Sequence, residues 1–304
     1  MRVLQWLLAI VLAFALVLTI ASTIFDVVTS DANVPVQRLW HGKFVRADGV
    51  LTAYRSWGDR GTPIVLVGGF LEPSWVWDRV APLLARAGHR VYALDLTGFG
   101  YSERRGPYTL AGWADQVAGF ERALGLRNPI VVGHSLGAAV ALEEARRGYA
   151  REAVLLDGDA LRSGGVPGWL RTVAAYSPFF TTAFRLLPRW SWLVRRVLRN
   201  AYGPADPPLD ARSLRLWTDQ FEARGARGAF RSILQNGIAG FTPAELRRLH
   251  VKAVVVWGAD DRVDSPAAGR QTARDLHAGF VSIPHAGHLS MLTAPNSVAV
   301  AIAP

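Results

Sequence analysis

Ser135 is the residue best placed to act as a nucleophile. It lies at the centre of the pentapeptide Gly133-His134-Ser135-Leu136-Gly137, between the apolar runs 129–132 and 138–142. A G-x-S-x-G sequence between a strand and a helix forms a sharp turn with the serine hydroxyl at its tip. The glycines are needed because a Cβ would collide with the neighbouring strand or helix. The context predicts a nucleophile elbow, and a serine in an ordinary surface turn is the alternative.

A serine nucleophile needs a base, and the base needs a partner that fixes its tautomer. Two downstream segments offer such groups. A β-branched run ends in a turn that carries carboxylates, and a second short predicted strand is followed by two histidines: Asp260, Asp261, Asp264, His285 and His288. The order along the chain is therefore serine, acid, histidine.

These motifs and their order resemble the α/β-hydrolase superfamily, in particular its cap-bearing branch of esterases, C–C hydrolases and cofactor-free haloperoxidases. The resemblance extends from about Val36 to Pro304. It implies an α/β fold in which a mostly parallel eight-stranded sheet carries helices on both faces and a helical cap insertion. It maps the family acid onto Asp261, at the end of a G-x-x-D turn, and the family histidine onto His288, in a Gly-His pair.

Other residues remain candidates for these two roles. Asp260 and Asp264 replace Asp261 if the turn is aligned one step differently, and His285 is the alternative histidine. Some relatives carry the acid after an earlier strand, a position that corresponds here to Asp157 or Asp159.

Acyl transfer also needs hydrogen-bond donors aimed at the developing oxyanion. One is the backbone amide of Leu136, directly after the nucleophile. The resemblance assigns the second to the amide of Phe70, in the loop Gly68-Gly69-Phe70-Leu71 after a predicted strand. Relatives usually have His-Gly-aromatic there, so Gly68 replaces a histidine and the group that keeps this loop rigid is not identified.

Strands and helices alternate around these motifs, as expected for a largely parallel sheet covered on both faces. Residues 36–40 and 43–46 predict an antiparallel edge, and Asp48-Gly49 predicts a hairpin turn into 50–54. The alternation stops after Leu156, residues 161–250 predict helices joined by Pro/Gly loops, and the sheet pattern resumes at Ala253. We therefore divide the chain into an anchor or signal segment, a first core half, a helical cap and a second core half: 1–28, 36–160, 161–250 and 251–304.

The N-terminal segment predicts a location. No charged residue occurs from Val3 to Phe25, which is long enough to span a bilayer as a helix. Arg2 precedes the segment and acidic residues follow it, so the positive-inside rule predicts a membrane anchor with the catalytic domain on the extracytoplasmic side. A cleaved secretory signal peptide, with secretion of the domain, is the alternative.

The predicted cap holds most of the net charge. Between residues 161 and 250 there are 14 arginines against five acidic residues, in a chain whose net charge is +10. One stretch has apolar residues at helical spacing and arginines on the other side: Trp190, Leu193, Val194, Val197 and Leu198. Such a helix either lies on a membrane surface or is a cap helix packed on the core. Nucleic acid is not a predicted partner, because no binding motif is present and an exported domain rarely meets it.

Cysteine is absent, which excludes disulfides, a thiol nucleophile and thiolate metal sites. No metal or organic cofactor is predicted, because clustered ligand spacing is missing and Gly98-x-Gly100 lacks the rest of a dinucleotide fingerprint. The oligomeric state does not follow from the sequence.

The aromatic cap favours a hydrophobic small-molecule ester as substrate. The predicted function is a membrane-anchored serine hydrolase that cleaves lipophilic carboxylic esters through an acyl-enzyme. A C–C bond hydrolase, or a perhydrolase of haloperoxidase type, with the same triad is the alternative. A non-catalytic binding protein on the same fold is an alternative of another class, disfavoured because all three triad residues are present.

Overall fold

A computed structural model describes residues 2–162, 167–237 and 240–303. Its centre is one eight-stranded sheet with the order β1-β2-β4-β3-β5-β6-β7-β8, in which β2 runs antiparallel to both neighbours and all other pairs are parallel. The strands are β1 (Lys43–Ala47), β2 (Val50–Trp57), β3 (Pro63–Val67), β4 (Arg90–Leu94), β5 (Ile130–His134), β6 (Glu152–Leu156), β7 (Ala253–Gly258) and β8 (Gly279–Ile283). The predicted α/β-hydrolase fold is confirmed.

Fourteen α-helices accompany the strands in the described part of the chain. They are α1 (Arg2–Val28), α2 (Val36–Leu39), α3 (Ala81–Arg86), α4 (Leu110–Ala123), α5 (Leu136–Arg146), α6 (Gly168–Tyr176), α7 (Pro178–Leu186), α8 (Ser191–Tyr202), α9 (Ala211–Thr218), α10 (Ala226–Asn236), α11 (Pro243–Leu246), α12 (Pro266–Asp275), α13 (Ser290–Thr293) and α14 (Pro295–Ile302). Helices α4, α5 and α12 pack on one face of the sheet, and α3 and α14 pack on the other.

The central strands align the two loops that the predicted site needs. Strands β3 and β5 are buried along their whole length, which explains their nearly continuous apolar sequences. They pair in parallel, with Val67 opposite Gly133 at their carboxyl ends. The loop that follows β3 therefore begins beside the turn that follows β5.

The inserted region is helical in its described part. Helices α6 to α11 lie between β6 and β7. Residues 163–166 and 238–239 of the predicted cap lie outside the described residues.

The edge of the sheet differs from the sequence prediction in one place. The hairpin at Asp48-Gly49 is confirmed, because both residues have positive φ and Ala47 pairs with Val50. The strand predicted at 36–40 is wrong: Val36–Leu39 is the short helix α2. Its two apolar residues, three apart in sequence, pack on an apolar cluster that includes Phe184 of α7, and one helical turn brings both to that cluster.

The N-terminal helix α1 carries the apolar segment. Residues Gln5–Val28 have a mean hydropathy of 2.7 and are long and apolar enough to cross a membrane. A helix of this kind near the N-terminus is either a membrane anchor or a signal sequence. Its C-terminal part packs against α7.

Candidate active site

The turn after β5 has the geometry expected of a nucleophile elbow. Ser135 has φ 50° and ψ −117°, a strained conformation for a residue with a side chain. A Cβ on Gly133 would lie 1.9 Å from the carbonyl oxygen of Gly137, and one on Gly137 would lie 2.7 Å from that of Gly68. The two glycines are therefore required by backbone contacts, and Ser135 stays half-exposed between them.

The predicted acid and histidine contact each other directly. Nδ1 of His288 lies 2.8 Å from Oδ2 of Asp261, and both side chains are buried. The other carboxylate oxygen of Asp261 accepts hydrogen bonds from the amides of Val263 and Asp264, at 2.8 and 3.0 Å. These bonds fix the carboxylate, and they leave Nε2 as the ring nitrogen of His288 that is available to a proton in transit.

The alternative acids and the alternative histidine have other surroundings. His285 is exposed, and the carboxylate of Asp159 accepts the amide of Leu161. Within the described ranges, neither Asp260 nor Asp264 forms a hydrogen bond to His288. Burial raises the pKa of Asp264, although the nearby charge of His288 opposes this rise.

The nucleophile turn lies beside His288. Nε2 of His134, the residue before Ser135, lies 2.7 Å from the carbonyl oxygen of His288, and the two imidazole rings are 4.8 Å apart between centroids. Among the residues that the structure describes, the Ser135 hydroxyl has no hydrogen bond to His288. Catalytic hydrogen bonds are often long without substrate and tighten when it binds.

The predicted oxyanion donors face the same place. A Cβ on Gly69 would lie 2.9 Å from Cβ of Ser135, so the loop after β3 touches the nucleophile. Leu136 is the first residue of α5. In the described part of the chain, the amides of Phe70 and Leu136 donate no hydrogen bond to another protein group, which leaves both free to bind an oxyanion.

A buried polar network behind the elbow was missed by sequence reasoning. Oε2 of Glu72 accepts the amide of Gly69 at 2.6 Å and lies 2.6 Å from Nδ1 of His134. Glu72 thus stabilises the loop after β3, in which Gly68 replaces the usual histidine. The available signal was the position of Glu72 three residues after Gly69, together with a histidine inside the elbow motif.

Asp157, the other alternative acid, belongs to this network. Its carboxylate accepts the amide of Gly258 at 2.6 Å and the hydroxyl of Ser290, and it lies 3.8 Å from Nε2 of His134. Burial raises the pKa of Asp157 to about 6, with partial compensation from the charge of His134 and from these hydrogen bonds.

Aromatic rings connect the oxyanion loop to the cap. The Phe70 ring contacts those of Phe99 and Phe230, with centroids 5.4 and 5.6 Å apart. Phe230 in turn contacts three phenylalanines of the cap: Phe180, Phe184 and Phe221. A continuous cluster of phenylalanine rings thus joins the cap to the loop that follows β3.

The C-terminal end of α1 and the residues after it are bound to the cap by polar contacts. Ser22 is hydrogen-bonded to Thr182 of α7 at 2.6 Å. Asp31 lies 3.0 Å from Arg185 of α7 and 2.8 Å from Arg227 of α10. Burial by itself raises the pKa of Asp31, but the hydrogen bonds and charges of the two arginines outweigh it, so the pKa lies below its usual value.

The cap exposes large apolar side chains. In α6, Trp169 is 69 % exposed and Tyr176 is 64 % exposed. The helix predicted around 190–198 is α8, and only part of its apolar face is covered, because Leu198 is buried whereas Val197 is 60 % exposed. Among the described residues, no group of three metal-binding side chains is close enough to hold an ion.

Comparison with known proteins shows the family to which the chain belongs. It is 28 % identical over 266 residues to a 2-hydroxy-6-oxo-6-(2'-aminophenyl)hexa-2,4-dienoic acid hydrolase of Metapseudomonas resinovorans, which covers 84 % of this chain and 88 % of that protein. It is 30 % identical over 237 residues to a 2-hydroxymuconate semialdehyde hydrolase of Pseudomonas putida, with 76 % and 81 % covered. Its fold matches that of a membrane phospholipase A, a bacterial virulence factor, with a TM-score of 0.69 and 23 % identity over 96 % of each chain. A model of the alpha/beta hydrolase family matches residues 64–301, and this chain belongs to that family.

Proposed function

We propose that the chain is a membrane-anchored serine hydrolase that cleaves lipophilic carboxylic esters. The observation that carries the catalytic part is the contact of 2.8 Å between His288 and Asp261 beside the strained turn of Ser135. The proposal also rests on two unoccupied amides, those of Phe70 and Leu136, that flank the same serine.

The reaction has two halves. Ser135 Oγ attacks the ester carbonyl carbon while Nε2 of His288 takes the hydroxyl proton, and Asp261 stabilises the resulting imidazolium. The amides of Phe70 and Leu136 bind the oxyanion, the tetrahedral intermediate collapses, and His288 gives its proton to the departing alcohol. Water then attacks the acyl-enzyme with His288 again acting as base, and the acid and free Ser135 are released.

The aromatic cluster next to Phe70 supports a lipophilic substrate. An acyl chain bound there replaces water against phenylalanine rings, which is favourable in proportion to the apolar area covered. Metal or cofactor assistance has no place in this scheme, because each proton transfer and each charge has a protein group assigned to it.

The contacts of α1 favour an anchor over a cleaved signal. Cleavage after Ala32 would remove both Ser22 and Asp31 and would strip Thr182 and Arg185 of these partners. With Arg2 before the apolar segment, the positive-inside rule favours a cytoplasmic N-terminus and an extracytoplasmic catalytic domain.

The cap is our second proposed membrane contact. Because α1 is bound to α7 and Asp31, three residues after α1, is bound to α7 and α10, a bilayer that α1 crosses lies close to the cap, where Trp169, Tyr176 and Trp192 are exposed. Exposed tryptophan and tyrosine are typical of membrane–water interfaces. The membrane phospholipase A of similar fold acts on lipid, by its name, and a match over 96 % of this chain includes part of α1.

A C–C bond hydrolase is the second candidate, favoured by the names of the two curated relatives. A dienoic acid substrate carries a carboxylate and calls for a free cation in the pocket. Arg104 donates from its two terminal nitrogens to the carbonyl oxygens of Phe99, Gly100 and Gln220, and its buried Nε has no hydrogen-bond partner among the described residues. The preference for the ester rests on the phenylalanine rings that contact Phe70.

A substrate panel separates the candidates. Purified full-length protein is tested on phospholipid vesicles, on p-nitrophenyl butyrate and on a 2-hydroxy-6-oxo-hexa-2,4-dienoate, with Ser135→Ala as the blank. We expect Ser135-dependent release of fatty acid and p-nitrophenol. If the protein cleaves only the dienoate, the ester proposal is wrong and the C–C bond hydrolase takes its place.

A further inference from the structure

Glu72 and His134 form a buried pair that the proposed reaction does not use. Glu72 is 7 % exposed and His134 is fully buried. Three contacts define their surroundings: the amide of Gly69 donates to Oε2 of Glu72, the same oxygen meets Nδ1 of His134, and Nε2 of His134 meets the carbonyl oxygen of His288.

The donors and acceptors fix where the protons are. A carbonyl oxygen only accepts, so Nε2 of His134 carries a hydrogen. With Glu72 ionised, Oε2 accepts from the amide of Gly69 and from Nδ1 of His134. His134 then donates from both nitrogens as an imidazolium, and Glu72 is its carboxylate partner.

Other charged groups around the ring favour the same state. Burial by itself lowers the pKa of His134, but Glu72 and then Asp157 outweigh it and raise the pKa to about 9. Asp157, at 3.8 Å from Nε2, is the second carboxylate facing the ring, and Asp264 feels its charge at longer range. The ring of His288 packs edge-on against the ring of His134.

The pair joins three segments of chain around the nucleophile. Glu72 holds the loop whose next residue after Gly69 is Phe70, His134 directly precedes Ser135, and its bond to the His288 carbonyl holds the histidine loop. We propose that the Glu72–His134 ion pair sets the position of the Phe70 amide and of His288 relative to Ser135. The two residues are positioning residues, and this role rests on the proposed function.

Kinetics of Glu72→Gln test this role. The side-chain amide of the variant is uncharged, so its oxygen accepts more weakly from the Gly69 amide and from a protonated His134. The loop therefore shifts and His134 loses its proton. With p-nitrophenyl butyrate we expect kcat to fall about 10- to 100-fold and KM to stay within about twofold, because the loss is confined to oxyanion stabilisation. We also expect wild-type kcat to fall as pH rises through about 9, where His134 loses its proton, and we expect this fall to be absent in Glu72→Gln.

Glu144→Gln is the matched control. Glu144 is another buried carboxyl group, in α5, and burial raises its pKa to about 8, so the neutral amide replaces a neutral acid. This variant should retain wild-type kinetics. A kcat of Glu72→Gln equal to that of the control would overturn the proposal, as would additive losses in Glu72→Gln and His134→Gln, because members of one ion pair must act together.

A second measurement does not depend on turnover. Nitrogen NMR of ¹⁵N-histidine-labelled Ser135→Ala protein, with His134→Gln as the assignment control, should show both His134 nitrogens protonated at pH 7.5. A neutral tautomer contradicts the ion pair even if Glu72→Gln does not fold. If the charged pair is present but Ser135→Ala retains full ester hydrolysis, the proposed function fails while the ion pair stands, and its link to catalysis is overturned.

Discussion

The buried region around Ser135 and the cap differ in which side chains they expose to water. Around Ser135, the polar side chains of Glu72, His134, Asp157 and Asp261 are removed from water and each has hydrogen-bond partners at short distance. In the cap, tryptophan and tyrosine side chains face solvent. Buried polar networks specify one geometry, whereas exposed apolar surface is adapted to something apolar outside the chain.

This difference predicts different responses to mutation. Substitutions in the buried region should change the rate of the chemical step, because they move groups that touch the reacting atoms. Substitutions in the cap should leave that step intact and change access to lipid.

The largest effect is expected for Asp261→Asn. The amide no longer holds His288 in the tautomer that leaves Nε2 as a base, so kcat on p-nitrophenyl butyrate should fall by about 10⁴. Asp260→Asn, which alters a neighbouring carboxylate without a bond to His288, is the control and should keep wild-type activity. Retention of more than a tenth of the activity by Asp261→Asn would contradict the assignment of the acid.

Gly69→Ala should have the next largest effect. The new methyl group would lie 2.9 Å from Cβ of Ser135 and 3.0 Å from Oε2 of Glu72, so the oxyanion loop must move. We expect kcat to fall by about 10² to 10³. Gly228→Ala places a methyl group in open space on α10 and should leave kcat unchanged; equal rates in the two variants would show that the loop is not an oxyanion donor.

Asp31→Asn tests the junction between the cap and the residues that follow α1. Loss of the charge that Arg185 and Arg227 share should lower the free energy of unfolding by about 1–3 kcal/mol, measured by thermal denaturation in detergent. Asp59→Asn, at an exposed ion pair, should change it by less than about 0.5 kcal/mol.

The same variant has a pH signature. Because the pKa of Asp31 in the folded protein is below its ordinary value of 3.8, its contribution is present above that value and is lost as pH falls through the lower folded pKa. The stabilities of wild type and Asp31→Asn should therefore converge in strong acid. A constant difference there would mean that the charge of Asp31 is not what stabilises the junction.

The smallest effect on stability is expected for the pair Trp169→Ser and Tyr176→Ser in α6. Both side chains are exposed, so the free energy of unfolding should change by no more than about 0.5 kcal/mol. Hydrolysis of vesicle phospholipid should fall severalfold while p-nitrophenyl butyrate is hydrolysed at the wild-type rate. Tyr149→Ser, which removes an exposed tyrosine from the core domain, should alter neither hydrolysis rate. If the cap variant also left both rates unchanged, the proposal that the cap contacts the membrane would be wrong.

The sequence was sufficient for the fold. Short apolar and β-branched runs predicted the strands, and the elbow motif predicted that Ser135 lies on a turn between a strand and a helix, which are β5 and α5. The short α2 was predicted as a strand, but Val36 and Leu39 are three residues apart and share one face only in a helix, which brings both to the cluster of Phe184.

The network of Glu72 and His134 could not be predicted in the same way. These residues are 62 positions apart and meet only because β3 and β5 are adjacent in the sheet. The glutamate three residues after Gly69 and the histidine inside the elbow motif are visible in the sequence, but their spacing along the chain does not show that the two side chains meet. Likewise, the ion pairs of Asp31 with two cap arginines required knowledge of where α1 ends in space.

Fluorophosphonate labelling tests the central claim most directly, because it requires an activated serine and no knowledge of the natural ester. Full-length protein in membranes should be labelled at Ser135, as identified by mass spectrometry of the modified peptide, and Ser135→Ala protein should not be labelled. Labelling of Ser135→Ala at the wild-type rate, or no labelling of folded wild-type protein, would contradict the account.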